Sequence, residues 1–200
     1  MRFGKMLATV CVLAFAAVAC GKGPAQAALT AADEAVASAK TEGEKFVPDQ
    51  FKALSDTAAQ AKQKFDAGDY KAALEAAQGI PEQAKAVVDA AAAKKTELTN
   101  SWAAMEGSLP AMVGEIQKKI AELMAARKLP AGMDKAKVEE AKTSMDSATA
   151  LWAEAGTAFQ GGDILGAVAK ATSVKETATK VMESLGMAPP APAEAGAPTK

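Results

Sequence analysis

The stretch that decides the fold runs from Asp134 to Leu185, DKAKVEEAKTSMDSATALWAEAGTAFQGGDILGAVAKATSVKETATKVMESL. Its apolar residues recur at helical spacing. Val138, Ala141, Met145, Ala148, Trp152, Ala155 and Phe159 form one stripe, and Ile164, Ala167, Ala171, Val174, Ala178, Val181 and Leu185 form a second. Alternating steps of three and four put such residues on one side of an α-helix and suit side-by-side packing at shallow angles. Between the stripes stands Gly161-Gly162-Asp163. Glycine accepts the left-handed conformation that ends a helix, and the Asp side chain accepts from the free amides that begin the next. The stretch therefore predicts a helical hairpin, with Asp134 capping its first helix.

Working outward, the same corner occurs earlier. Residues 65 to 87 align without a gap on 159 to 181, and Phe65, Gly68, Asp69, Ala73, Glu82, Ala84 and Val87 recur as Phe159, Gly162, Asp163, Ala167, Glu176, Ala178 and Val181. Alanine matches carry little weight in an Ala-rich chain; the F-x-x-G-D core carries more. Two hairpins, around 48–106 and 134–186, are expected to share this corner by duplication or by convergent corner chemistry. The stretch FDAGDYKAALEAA (65–77) resembles the helix-turn-helix corner of tetratricopeptide repeats. The 34-residue period of that family is absent, and Ile164 stands where the first copy has Tyr70.

Further helices are expected over 28–41, with Leu29, Ala32, Val36 and Ala39 on one face, and from Pro48, with Phe51, Leu54, Ala58, Ala61 and Phe65. A third runs from Tyr70 to Trp102, kinked at Gly79 and Pro81. Gly107 and Pro110 should separate it from a fourth bearing Val113, Ile116, Ile120 and Leu123, and Leu129-Pro130-Ala131-Gly132 should end that one. No sustained period-two run suggests a strand. The expected fold is all-α, a bundle of antiparallel helical hairpins with coiled-coil-like packing over 28–186. Half of the 200 residues are hydrophobic, but only 4% are aromatic. Alanine favours helix and buries little area, so stability should rest on helix length and a few large anchors.

At the N-terminus, Arg2 and Lys5 precede an uncharged apolar run, MLATVCVLAFAAVA (6–19), and then Cys20. A basic start, a short apolar run and small residues at the cut make an export signal, too short for a comfortable membrane span. AVAC (17–20) resembles the lipobox of bacterial lipoproteins, with Ala17 where Leu is commoner. That resemblance implies a signal peptide over 1–19, a diacylglyceryl group on the thiol of Cys20, and acyl chains such as palmitate anchoring the chain to a membrane. The alternative is an ordinary signal cut after Ala19, leaving Cys20 free. Gly21 after the cysteine implies, by the same resemblance, the outer membrane, facing the periplasm. Residues 20–27 would then be the lipidated Cys and a Gly/Pro tether reaching about 20 Å over its six residues after Cys20.

Removing Arg2 and Lys5 from the 23 basic residues leaves 21 against 24 acidic ones, a net charge of −3. With both signs interspersed there is no electrostatic case for nucleic acid. The chain contains no histidine, which takes away Ser-His and Cys-His pairs and most zinc, copper and haem ligation. Cys20 is the only cysteine after the leader, so no disulfide forms within the mature chain. Neither a Walker A nor a dinucleotide glycine pattern occurs. No catalytic residue, cofactor or metal is therefore expected. Glu139 and Glu140 are adjacent and point apart on a helix, and Asp69 and Asp163 are read as caps before calcium ligands.

The candidate partner or ligand surface is made of the large side chains Trp102, Trp152, Tyr70 and Phe159, with Met105, Met112, Met124 and Met133 as adaptable neighbours. Core filling competes for every one of them. From Met187 the sequence MAPPAPAEAGAPTK is expected to be a disordered Pro/Ala-rich tail over 187–200, about 43 Å when extended. Three functions remain: a non-catalytic scaffold facing an envelope protein or the cell wall, a module holding a lipid or peptide in a bundle groove near the tryptophans, and an enzyme using carboxylates alone. The first two fit the residue types present.

Overall fold

The computed structural model describes residues 3–188, with side chains from residue 21 onward. The chain is all-α, with no strand among the described residues. Six helices follow in order: α1 (Phe3–Phe46), α2 (Pro48–Asp66), α3 (Tyr70–Gln78), α4 (Ile80–Ala125), α5 (Lys135–Gln160) and α6 (Ile164–Ser184). Their packing divides the chain into two compact units, Met1–Lys95 and Thr96–Lys200.

In the first unit α1, α2 and α3 pack on one another and on the start of α4. Leu29, Ala32 and Ala39 of α1 meet Phe51, Leu54 and Ala61 of α2, and Ala77, Ile80, Ala84 and Val87 complete the core. These are the stripes read from the sequence. Pro48 opens α2, where its missing N–H would have lacked a helical partner anyway. Val47, at φ −140° and ψ 58°, makes the break from α1. At Gly43 the helices come so close that a Cβ would stand 2.9 Å from Val87 Cγ1 and 3.0 Å from Phe51 Cδ2.

The second unit is the expected hairpin of α5 and α6 closed by the last part of α4. Val138, Ala141, Met145, Ala148 and Ala155 face Ala167, Ala171, Val174, Ala178 and Val181, while α4 supplies Trp102, Met105, Leu109, Ile116, Ile120 and Leu123. Of the 33 buried hydrophobic residues described in the two units, 14 are alanine, so helix backbones approach closely and the few large side chains fill what remains.

The two corners have the same backbone. Gly68 and Gly162 take φ 83° and 82°. Asp69 N–H donates to Lys64 O and Gly68 N–H to Phe65 O; Asp163 N–H donates to Ala158 O and Gly162 N–H to Phe159 O, all at 2.9–3.0 Å. This is the paired-bond helix ending of the Schellman type. Asp69 Oδ1 then accepts from Ala72 N–H at 3.1 Å, and Asp163 Oδ1 from Gly166 N–H at 3.2 Å. The Phe residues differ in use. Phe65 meets Tyr70 edge-on, whereas Phe159 stacks on Trp102.

Three boundaries differ from the sequence reading. Helix α4 runs unbroken through Gly107 and Pro110, where a separation is expected from the sequence. Its stripe Trp102, Met105, Leu109, Ile116, Ile120, Leu123 keeps helical register across the proline, and burying that face offsets the roughly 3 kcal/mol that an interior proline costs. At Gly79 the chain breaks: α3 ends at Gln78, and Pro81 sits in the first turn of α4, where proline is tolerated. Helix α1 is continuous through 21–27, the stretch read as a tether, with Pro24 inside it. The Cys20 side chain, most of the leader's reading and the tail from residue 189 lie outside the described residues. Among the described residues no helix is long and apolar enough to cross a membrane.

Candidate functional site

The large side chains named from the sequence separate into two groups. Tyr70, first residue of α3, is half-buried in the first unit, its ring 5.1 Å from that of Phe65 at 63°. Trp102, Trp152 and Phe159 belong to the second unit, where the structure brings them together. Trp152 and Phe159 are seven residues apart on α5, two turns and about 10.5 Å along the axis. That gap is the thickness of one aromatic ring stacked on both faces. The indole of Trp102, from α4, occupies it, 5.2 Å from Trp152 at 11° and 4.6 Å from Phe159 at 8°.

Trp102 is 3% exposed, while Trp152 and Phe159 are half-buried. The stack is thus filled by its own members, and it closes the end of α5 onto α4. Its one irregularity is Trp102 Nε1, which is buried and donates to no acceptor in the structure. A buried donor left unpaired costs roughly 1–3 kcal/mol, so it is a feature in need of a cause.

The methionines also divide. Met105 is buried, and Met112 and Met133 are partly buried against the core. Met124, near the end of α4, is 52% exposed. Shallow grooves lie on either side of it. One, of about 260 Å³, is lined by Gln117, Ile120, Ala121, Met145, Lys142 and Asp146; the other, of about 230 Å³, by Leu123, Ala126, Leu129, Lys135, Val138 and Glu139. The floor of both is apolar and their rims carry charge of both signs. That composition suits contact with an apolar side chain or helix face, whose polar flanks the rims would meet.

Titratable groups stay at the surface. No polar or charged residue is buried among those described, and no cluster of acidic residues and cysteine able to hold a metal ion occurs among them. Glu139 and Glu140 line different grooves, as adjacent positions on a helix must. The Nζ of Lys142 bonds Asp146 at 2.9 Å and that of Lys85 bonds Asp89 at 2.6 Å; these contacts raise both ammonium pKa values. Sequence reasoning had no signal for the grooves beside Met124, because their depth depends on how far α4 stands from α5.

Comparison with protein-family profiles, characterised proteins and solved structures gives no match to this chain.

Proposed function

We propose that this protein is a membrane-anchored envelope lipoprotein, held by acyl chains on Cys20, whose helical units act as a non-catalytic interaction module. The anchor half of the reading is supported by Arg2 and Lys5, the apolar run 6–19 and AVAC ending at Cys20. Several acyl chains add their methylene burial and make such anchoring durable. The observation that carries the interaction half is Met124. With Val88 at 38%, it is one of two large apolar side chains left exposed among the described residues, and an apolar groove opens on each side of it. A partner that fills both grooves would take Met124 out of water.

The test has two arms, both in cells. A labelled fatty acid is expected to enter the wild-type chain and not a Cys20→Ala variant, which leaves the membrane pellet; equal labelling of the two would sink the anchor. A photo-crosslinking residue at position 124 is expected to give one discrete adduct with an envelope component, absent when the same residue replaces the exposed Glu122. Identical products from the two positions would remove Met124 as the contact.

A second reading, a module holding a lipid or peptide near the tryptophans, draws on the unpartnered Nε1 of Trp102. A ligand acceptor reaching that N–H would satisfy it. Trp102 and Trp152 are the only tryptophans, so their emission reports the site directly. A spectral change on adding phosphatidylethanolamine vesicles would favour this reading, and an unchanged spectrum at saturating lipid would end it for that lipid.

A further inference from the structure

Hydroxyls on helices usually return to their own backbone, and most of those on α5 and α6 do. Thr143, Ser147, Thr149 and Thr157 each donate to the carbonyl four residues earlier, as do Thr172, Ser173 and Thr179; Ser184 donates to Val181 O. The two exceptions are Ser144 and Thr177. Both are half-buried, and both line the same groove, of about 460 Å³, between α5 and α6. The groove is half open to solvent, so a ligand in it would keep one side exposed.

The groove is built from matching registers. Helix α5 gives it Lys137, Glu140, Ala141 and Ser144, and α6 gives it Thr177, Lys180, Val181 and Ser184, the same spacing on each. In an antiparallel hairpin these matching registers put Ser144 and Thr177 toward one end of the groove, with Glu140 on one wall and Lys180 on the other. Ala141 and Val181, 2% and 6% exposed, form an apolar floor. Among the described residues Glu140 and Lys180 make no ion pair with each other or with another residue, although Lys142 and Lys170 on the same two helices are paired to Asp146 and Glu154. Lys137 is committed to the loop, its Nζ donating to Gly132 O at 2.9 Å. Four polar groups are therefore uncommitted around one apolar floor: a carboxylate, an ammonium and two hydroxyls.

We propose that this groove binds a small zwitterionic peptide. Its free ammonium is held by Glu140 and its carboxylate by Lys180. The peptide unit between them offers one N–H and one carbonyl, which the hydroxyls of Ser144 and Thr177 satisfy, one accepting and the other donating. Short apolar side chains rest on Ala141 and Val181. A phosphoethanolamine headgroup carries the same pair of charges but no amide, so the two hydroxyls and the floor favour the peptide. The site is independent of the anchor at Cys20 and of the surface around Met124.

The test is calorimetric titration of the full chain in detergent micelles with four probes: alanyl-alanine, its N-acetyl form, its C-terminal amide, and phosphoethanolamine. Alanyl-alanine is expected to bind, and blocking either end should weaken it by about tenfold or more, the loss of one charge-assisted contact. A Ser144→Ala, Thr177→Val double variant with unchanged helical circular dichroism should weaken it by a similar factor. Glu140→Gln should erase the preference for the free amine over the acetylated form and leave the preference for the free carboxylate. Absence of heat with alanyl-alanine, equal binding of the blocked forms, or binding of phosphoethanolamine as tightly as the dipeptide would each overturn the proposal.

Discussion

At Gly43 a missing side chain sets how closely α1 approaches Phe51 of α2 and Val87 of α4. A Gly43→Ala substitution gains about 1 kcal/mol of helix propensity but drives a methyl into two packed side chains, at a cost of about 1–3 kcal/mol. The expected net effect is destabilisation by about 1 kcal/mol. Gly114→Ala, in α4 with nothing within 4 Å of the added carbon, should instead stabilise by nearly the full helix-propensity difference. Urea melts of the two variants should move in opposite directions; movement in the same direction would refute the packing account. Trp102 allows a second contrast. Replacing it by alanine empties the slot between Trp152 and Phe159 and should cost about 3–5 kcal/mol. Trp102→Phe keeps a ring in the stack and removes the unpartnered Nε1 donor, so it should cost less than half as much by the same melts.

The Asp-capped corners were the part of the fold most legible from sequence, because a cap is a local device. Asp134, Asp163 and Asp69 each accept from an amide three residues on, and the left-handed glycines sit where the corner spacing put them. Asp163→Ala should therefore cost about 1 kcal/mol in chemical denaturation, and Asn at the same position should restore most of it. A loss shared equally by Asp163→Asn would show that charge, not the cap geometry, is what matters. Pro110 shows where local reading fails. Its effect on α4 depends on the apolar face that Leu109 and Ile116 bury, which is a tertiary quantity. The candidate surface divided for a similar reason. Trp152 and Phe159 share a seven-residue spacing that puts them on one face of α5, but nothing in the sequence indicates that Trp102 of α4 fills the gap between them or that Tyr70 packs against Phe65 in the other unit. Ser144 and Thr177 could not be singled out either, since what distinguishes them is a backbone bond that they do not make.

For the molecule as a whole, the periodic stripes tell which faces are apolar but not which faces meet. An alanine stripe is nearly the same address everywhere, and the division into units ending at Lys95 and beginning at Thr96 follows from pairings that no single stripe encodes. What does extend over both units is the placement of charge. No described ionisable side chain is buried, and the chain has no histidine. The two lysines with perturbed ammonium groups, Lys85 and Lys142, have folded values above 10.5; the stability their pairs add is present below that pH and is lost only as alkali titrates through the raised folded value. Between about pH 5 and 8 folding should thus exchange almost no protons, and the thermal midpoint is expected to drift by less than about 3 °C across that interval, measured at constant ionic strength. A larger drift would mean that a carboxylate is held in an environment unlike the open one described. The charge placement makes the fold indifferent to acidity: a protein exposed to whatever medium bathes it would keep its shape through swings that would switch a histidine-bearing neighbour.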